Sequence, residues 1–270
     1  AVKVLDDTGS GNTSDILAGI QWIVDNKDEY GIKILNMSFG SPSDKIYNED
    51  PLARAASAAV NSGLTVVAAA GNSGPNRGTI TSPGNSPYVI TVGAADDNRT
   101  TSYEDVFVAE FSSRGPAAGG VAKPNIVAPG VDIMSLSNKG SSYKNQSGTS
   151  MATPMVGGAA ALLYQKYPNI SASEVRERII RTAIPIQGNR FAQGAGILNM
   201  HGIMDLILVE EDGLVLVDYK TDFVKSPQEL INLYSKQLEL YKKSLEVISG
   251  KEVKNTYIYS FKLGCTIDIF

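Results

Sequence analysis

The sequence is poor in two residues that often build catalytic and metal sites. Among its 270 residues there is one cysteine, Cys265, and one histidine, His201. A single cysteine excludes an internal disulfide and any cysteine-based zinc or iron–sulfur site within one chain. A single histidine leaves one candidate for the imidazole that most often acts as a catalytic base near neutral pH.

Long apolar runs and an excess of one charge are also missing. No apolar run reaches the roughly 18 residues that a membrane span requires, so we expect no membrane insertion. The formal net charge of −4 gives no overall attraction for nucleic acid or anionic lipid. The sequence starts in a strand-like pattern without the regions of a signal peptide. With the single cysteine this favours the cytoplasm, although the compartment stays open.

The sequence up to about residue 200 alternates between strand-like and helical patterns. Short apolar runs lie at 2–5, 34–39, 65–70 and 89–94, with helical patterns at 14–28 and 51–62 between them. This alternation predicts an α/β fold, in which a parallel sheet carries helices on both faces. Two further helices are predicted, one from Ser150 and one over 172–183, where Ser171 and Glu174 fit a capping box.

The pattern changes near residue 200, and we predict a domain boundary at 199–202. Residues 201–270 contain eight lysines and no arginine against eleven acidic residues. The apolar runs at 204–210 and 214–220 are joined through Asp212-Gly213, which indicates a hairpin. A long helix is predicted from Ser226 to Gly250, with Pro227 at its first position and Glu229 completing a capping box. Residues 257–261 are typical of a last strand.

A serine motif opens the helix predicted at Ser150. Residues 147–154 read Ser-Gly-Thr-Ser-Met-Ala-Thr-Pro. Near neutral pH a serine hydroxyl needs a neighbouring base to take its proton and a third group to orient that base. Without them, Ser150 is a helix-cap serine.

Five motifs, in order, resemble those of subtilisin-family serine peptidases over residues 1–200. They are Asn36-Met37-Ser38-Phe39-Gly40, Ala69-Ala70-Gly71-Asn72-Ser73-Gly74-Pro75, Phe111-Ser112-Ser113-Arg114-Gly115-Pro116, Lys123-Pro124-Asn125-Ile126-Val127-Ala128-Pro129-Gly130 and Ser147–Pro154. The resemblance implies a subtilisin-like fold, a polypeptide substrate and no cofactor. It also implies Ser150 as the nucleophile and Asn72 as the side-chain donor of the oxyanion hole. Ser38, Phe39 and Gly40 would form one wall of the substrate pocket, and Ala69, Ala70 and Gly71 the other.

The family's aspartate and histidine motifs, which precede its serine, are not matched. Asp7-Thr8-Gly9 imitates the aspartate motif, but about 27 residues separate it from Asn36, too few for the histidine segment. We therefore interpret Asp7 as a turn residue. His201 follows the serine, an order typical of α/β-hydrolases, whose Gly-x-Ser-x-Gly motif is absent here. The family fold further implies that the strand predicted at 2–5 lacks a neighbour.

A second constellation lies in residues 201–270. If Asp212-Gly213 is a two-residue turn, Glu211 pairs with Leu214, and Asp205 lies opposite Lys220 and diagonal to Asp218. Two carboxylates on one face suit Mg²⁺, and an adjacent lysine suits water activation or phosphate charge. The alternative is a solvated hairpin face.

These residues resemble the nuclease domain of AddA and RecB. The matching segments are Gly202-Ile203-Met204-Asp205, Asp218-Tyr219-Lys220-Thr221-Asp222 and Gln237-Leu238-Glu239-Leu240-Tyr241. The resemblance implies that Asp205 and Asp218 bind the metal and that Gln237 and Tyr241 support the site. The family's upstream histidine is not matched, and no basic stripe is present to hold DNA.

Three hypotheses follow from the sequence. The first is a serine endopeptidase that is nearly inactive as this chain, because the catalytic histidine and aspartate are absent from it. The second is a Mg²⁺-dependent DNA exonuclease formed by the second segment. The third is a non-catalytic chimera of two truncated domains, which explains both missing upstream motifs together.

Overall fold

The chain folds into two compact units, Ala1–Asn199 and Met200–Phe270. A computed structural model describes residues 1–100, 103–137, 142–204, 206–210, 213–220, 224–260 and 262–270. None of the described helices is both long enough and apolar enough to span a membrane.

The first unit is built on a parallel sheet. Its strands are β1 (Ile34–Met37), β2 (Thr65–Ala69), β3 (Ile90–Asp96), the short β4 (Phe107–Val108) and β5 (Ile126–Pro129). Strands β1, β2, β3 and β5 are parallel neighbours in that order, whereas β4 pairs antiparallel with β3. Strands β6 (Ile133–Leu136) and β7 (Tyr143–Gln146) form a separate hairpin.

Helices cover both faces of this sheet. They are α1 (Thr13–Asn26), α2 (Pro51–Asn61), α3 (Thr149–Lys166), α4 (Ala172–Arg181) and the short α5 (Arg190–Gln193). Helices α1 and α2 pack with Leu35, Val66 and Ala68 in one apolar core. On the opposite face, Thr65 of β2 is hydrogen bonded to Tyr164 of α3, with 2.8 Å between the two hydroxyl oxygens. The predicted parallel sheet with helices on both faces is therefore confirmed.

The strand predicted at 2–5 does not form. Residues 1–4 have no regular secondary structure, and Val4 instead packs against Gly19 of α1. A strand needs a neighbour to pair its backbone groups, and in the described part of the chain β1 pairs with β2 alone. Val4 and Leu5 are partly buried against the apolar core without strand pairing, whereas Val2 is 40% exposed.

Two helices of this unit have a side-chain cap at their N-terminus. Ser171 and Glu174 form both bonds of the capping box at the start of α4, which confirms that prediction. Asp50 caps α2 by accepting hydrogen bonds from the backbone N–H groups of Leu52 and Ala53. This second cap was not predicted from the sequence.

Lys123, which precedes β5, is buried, and no carboxylate of the described residues is hydrogen bonded to it. Lys123 is 1% exposed, and its Nζ donates to the Val89 carbonyl, Thr91 Oγ1 and Asn125 Oδ1, each at 2.8 Å. Burial, followed by the charge of Arg176, lowers the pKa of Lys123 well below its usual range. The three acceptors match the three N–H groups of an ammonium, so its donors are all satisfied when it is charged.

The second unit is a four-stranded sheet with one long helix. Its elements are α6 (Met200–Met204), β8 (Leu206–Glu210), β9 (Gly213–Lys220), α7 (Pro227–Ser249), β10 (Val253–Ser260) and β11 (Cys265–Asp268). The strand order is β11-β10-β9-β8. Strands β8 and β9 form the predicted antiparallel hairpin, and β10 returns parallel to β9 after α7.

Three details of this unit differ from the prediction. The hairpin pairs Glu210 with Gly213, so its register is shifted by two residues from the predicted pairing, and the side-chain faces are kept. Glu229 accepts a hydrogen bond from the Lys225 N–H at 3.0 Å, and Ser226 makes no side-chain cap bond. Strand β10 begins four residues earlier than predicted, because its pairing with β9 extends to Val253.

Candidate active site

Ser150 lies at the start of α3, beside the strand ends that the sequence assigned to the pocket. It is the second residue of the helix, and its Oγ donates a hydrogen bond to the Ser38 carbonyl at 2.7 Å. Ser38 directly follows β1. In parallel sheets, ligands bind outside the carboxyl ends of the strands, and this contact puts Ser150 at that edge.

Asn72 is held in one orientation by the residue before Ser150. The Asn72 Oδ1 accepts hydrogen bonds from the Thr149 backbone N–H at 2.9 Å and from Thr149 Oγ1 at 3.0 Å. Thr149 Oγ1 in turn accepts from the Gly71 N–H at 3.2 Å, and Thr149 is 1% exposed. Because the carboxamide oxygen is anchored, the NH₂ end of Asn72 is left available as a donor. The sequence analysis missed Thr149.

Two hydrogen-bond donors therefore lie at this helix start. Among the described residues, neither the Asn72 NH₂ group nor the Ser150 backbone N–H has a recorded acceptor. The first backbone N–H groups of a helix have no partner within it, and the helix dipole favours negative charge there. This arrangement can stabilise an oxyanion that develops next to Ser150 Oγ.

The two predicted pocket walls follow neighbouring strands. Residues 38–40 follow β1, and residues 69–71 include the end of β2, where Ala69 and Ala70 are buried. Gly71 has a φ of +106°, and a Cβ there would lie 2.7 Å from Thr81 Cγ2. A Cβ on Gly40 would also collide with the Thr81 side chain. Thr81, which the sequence analysis missed, thus packs closely against both walls.

Asp7, the residue that imitates the family's aspartate motif, has no contact with Ser150 among the described hydrogen bonds and ion pairs of the first unit. Asp7 lies in an exposed turn and forms an ion pair with Lys3 at 2.7 Å. His201 belongs to helix α6 of the second unit. The recorded partner of Ser150 Oγ is a backbone carbonyl, which accepts a hydrogen bond but cannot take the proton.

A buried ion pair marks the second constellation. Asp218 and Lys220 of β9 are 0% and 1% exposed, and Lys220 Nζ lies 2.9 Å from Asp218 Oδ2. Both Asp218 oxygens lack an aligned hydrogen-bond donor in the described part of the chain. Lys220 Nζ also lies 3.8 Å from the centre of the Tyr234 ring, a contact the sequence analysis missed.

The remaining residues of that constellation are only partly described. Gln237 Nε2 donates to Tyr241 Oη at 2.9 Å on α7, so the structure brings these two together. Asp205 lies outside the described residues. Within those residues, no group of three histidine, cysteine or acidic side chains is placed to hold a metal ion. The Mg²⁺ site predicted at Asp205 and Asp218 stays a prediction.

Comparison with known proteins identifies the first unit. Residues 1–202 match the sequence model of the subtilase family. The chain is 48% identical to serine protease AprX of Bacillus subtilis, over 65% of this chain and 44% of that protein. It is 42% identical to subtilisin DY of Bacillus licheniformis, over 74% of this chain and 65% of that protein. The chain thus spans less than two thirds of these two relatives.

Solved structures agree with the predicted fold class. Sphericase superposes with a TM-score of 0.65 and 34% identity over 73% of this chain and 66% of that chain. A psychrophilic protease superposes with a TM-score of 0.64 and 31% identity. The subtilisin-like α/β fold is therefore confirmed.

Proposed function

The chain belongs to the subtilase family, and we propose that its first unit is the nucleophile-bearing part of a subtilisin-type serine endopeptidase. The observation that carries the proposal is the anchoring of Asn72 by Thr149 next to Ser150. In the proposed reaction Ser150 Oγ attacks the scissile carbonyl carbon of a polypeptide. The Asn72 NH₂ group and the Ser150 N–H stabilise the oxyanion that forms.

We expect the peptidase site of this chain to be nearly inactive. The Ser150 proton must pass to a base during the attack, and the described residues offer it the Ser38 carbonyl. Enzymes of this kind without a triad member keep about 10³–10⁴-fold acceleration over water, which comes from the oxyanion hole and substrate binding. We therefore expect a residual activity that depends on Asn72.

The test is residual hydrolysis of the nitrophenyl ester of a short peptide. We expect Ser150→Ala to abolish the slow reaction, and Asn72→Leu to reduce it by about 10²–10³-fold. Asn76→Leu, an exposed asparagine of the same loop, is the control and leaves the rate unchanged. Equal rates for the unmodified protein and Asn72→Leu contradict the proposal.

A second candidate function is a Mg²⁺-dependent nuclease in the second unit. It is supported by Asp218, a buried carboxylate whose oxygens have no aligned hydrogen-bond donor among the described residues, beside Lys220 on the same strand. Asp218 together with Asp205 would bind Mg²⁺, which when bound supplies charge for phosphate-ester hydrolysis. Lys220 would orient water or contact a phosphate oxygen.

This second function is tested with linear duplex DNA and Mg²⁺. Degradation that is lost in Asp218→Ala supports it, with Glu239→Ala as the control because Glu239 is an exposed acid on α7. Absence of cleavage with both Mg²⁺ and Mn²⁺ contradicts it.

The third hypothesis is a non-catalytic chimera of two domains that meet near residues 199–202. Limited proteolysis tests it. Two unrelated fragments are expected to separate by cleavage near residues 199–202, and the released fragments then elute apart by size exclusion. Resistance to cleavage in this region supports one fused unit.

A further inference from the structure

Asp50 is a buried carboxylate that accepts more hydrogen bonds than a helix cap requires. It is 5% exposed, and no ion pair is recorded for it among the described residues. Its Oδ1 accepts from the backbone N–H groups of Leu52 and Ala53, at 3.0 and 3.1 Å, which is the capping role. It also accepts from three side chains outside α2, namely Ser82 Oγ at 2.8 Å, Ser43 Oγ at 2.6 Å and Asn85 Nδ2 at 3.3 Å.

One of these side chains, Ser82, belongs to the segment that ties the pocket walls together. Ser82 exchanges two backbone hydrogen bonds with Ser41, at 3.0 and 2.9 Å, and Ser41 directly follows the wall residue Gly40. Thr81, next to Ser82, donates from its N–H and its Oγ1 to the carbonyl of the other wall residue, Ala70, at 3.0 and 3.2 Å. The segment Thr81-Ser82 therefore links the two walls.

Thr81 lies in close contact with one glycine of each wall. Thr81 fills the space against Gly40 and Gly71 so closely that neither glycine can carry a Cβ. A shift of Thr81-Ser82 would thus change the distance between the walls. Among the described residues, none of the hydrogen bonds of Asp50 goes to Ser150 or Asn72. Its connection to the walls runs through Ser82, and its partner Ser43 lies two residues after Ser41 on the segment that follows the first wall.

We propose that Asp50 is a positioning residue, whose hydrogen bonds to Ser82 and Ser43 set the distance between the two pocket walls and thereby the affinity for an extended polypeptide. This inference rests on the proposed peptidase function for its ligand. Burial of a carboxylate without a cation is costly unless several donors compensate it, and Asp50 has five. A helix cap alone would need only the two backbone donors.

Asp50→Ser separates the two roles. Serine is a good helix N-cap, but its single hydroxyl cannot accept from Ser82, Ser43 and Asn85 together. We expect amide hydrogen exchange at Ser41 and Ser82 to become about tenfold faster. The dissociation constant for fluorescein-labelled unfolded casein, measured by anisotropy, is expected to rise about tenfold.

Three further variants complete the experiment. Asp50→Asn keeps the shape of the side chain and one acceptor oxygen. We expect its exchange rates at Ser41 and Ser82 and its dissociation constant for casein to stay within about threefold of those of the unmodified protein. Ser43→Ala removes one donor and leaves the cap intact, so it tests the link even if Asp50→Ser does not fold. Ser171→Ala removes the cap of α4, which lies outside this network, and is expected to change neither value.

The outcomes distinguish the inference from the function on which it rests. Unchanged exchange at Ser41 and Ser82 in both Asp50→Ser and Ser43→Ala overturns the positioning role. Faster exchange with unchanged casein affinity overturns it as well, because the walls then do not govern binding. If the unmodified protein does not bind casein, the proposed function fails, and the exchange rates alone decide whether Asp50 holds the link.

Discussion

Asn72 accepts two hydrogen bonds from Thr149, one from its backbone N–H and one from its side chain. Asn72 follows the strand β2, whereas Thr149 begins the helix α3 that also carries Ser150. The contact joins two segments that are 77 residues apart in the sequence. It fixes the side chain that the proposed mechanism needs as an oxyanion donor.

Thr149→Val tests this anchoring. Valine keeps the shape of threonine, but Asn72 loses one of its two donors and the Gly71 N–H loses its acceptor. We expect the residual esterase rate to fall about tenfold and the free energy of unfolding to fall by roughly 1–3 kcal/mol. Thr149→Ser keeps the hydroxyl and serves as the control. An unchanged rate in Thr149→Val means that Asn72 does not need this anchor.

The sequence predicted some features that depend on neighbouring residues, although the capping box of Ser226 and Glu229 did not form and the cap by Asp50 was missed. The capping box of Ser171 and Glu174 is local, and it forms as expected. Thr149 and Thr81 were missed because their roles depend on contacts with residues that are distant in the sequence. The strand predicted at 2–5 was wrong because an apolar pattern does not supply the pairing neighbour that a strand requires.

Lys123→Met tests how much the hydrogen bonds of the buried Lys123 side chain contribute to stability. The Val89 carbonyl and two side-chain oxygens lose their donor, so we expect a loss of roughly 1–3 kcal/mol in the free energy of unfolding near neutral pH. Urea unfolding measures it. Lys33→Met, at an exposed lysine, is the control with little change.

The pH dependence of this stability has a defined sign. Because the pKa of Lys123 is lowered in the folded protein, the unfolded chain binds more protons between that pKa and the ordinary value of 10.5. The contribution of Lys123 therefore makes the folded state more stable as the pH rises through this window. We expect this rise to be smaller in Lys123→Met, and an identical slope in both proteins contradicts the account.

The contributions of Asp218 and Lys220 to the stability of the second unit are expected to depend strongly on each other. Removing either partner leaves a buried charge unpaired, so Lys220→Met should cost about 3–5 kcal/mol in the second unit. The double variant Asp218→Leu with Lys220→Met should cost less than the sum of the single changes. Lys243→Met breaks the exposed pair with Glu239 and should cost at most about 1 kcal/mol. Additive losses at Asp218 and Lys220 would show that the pair does not interact.

The measurement that tests the central claim most directly is the rate at which a fluorophosphonate labels Ser150. The rate is measured with and without free imidazole, and mass spectrometry of the labelled peptide identifies the residue that has reacted. The account predicts slow labelling confined to Ser150, at least about 10³-fold slower than that of subtilisin DY, and acceleration by imidazole because it supplies a base. Labelling as fast as that of subtilisin DY without imidazole, or none at Ser150 under either condition, would contradict the claim that this chain carries an organised nucleophile site without its base.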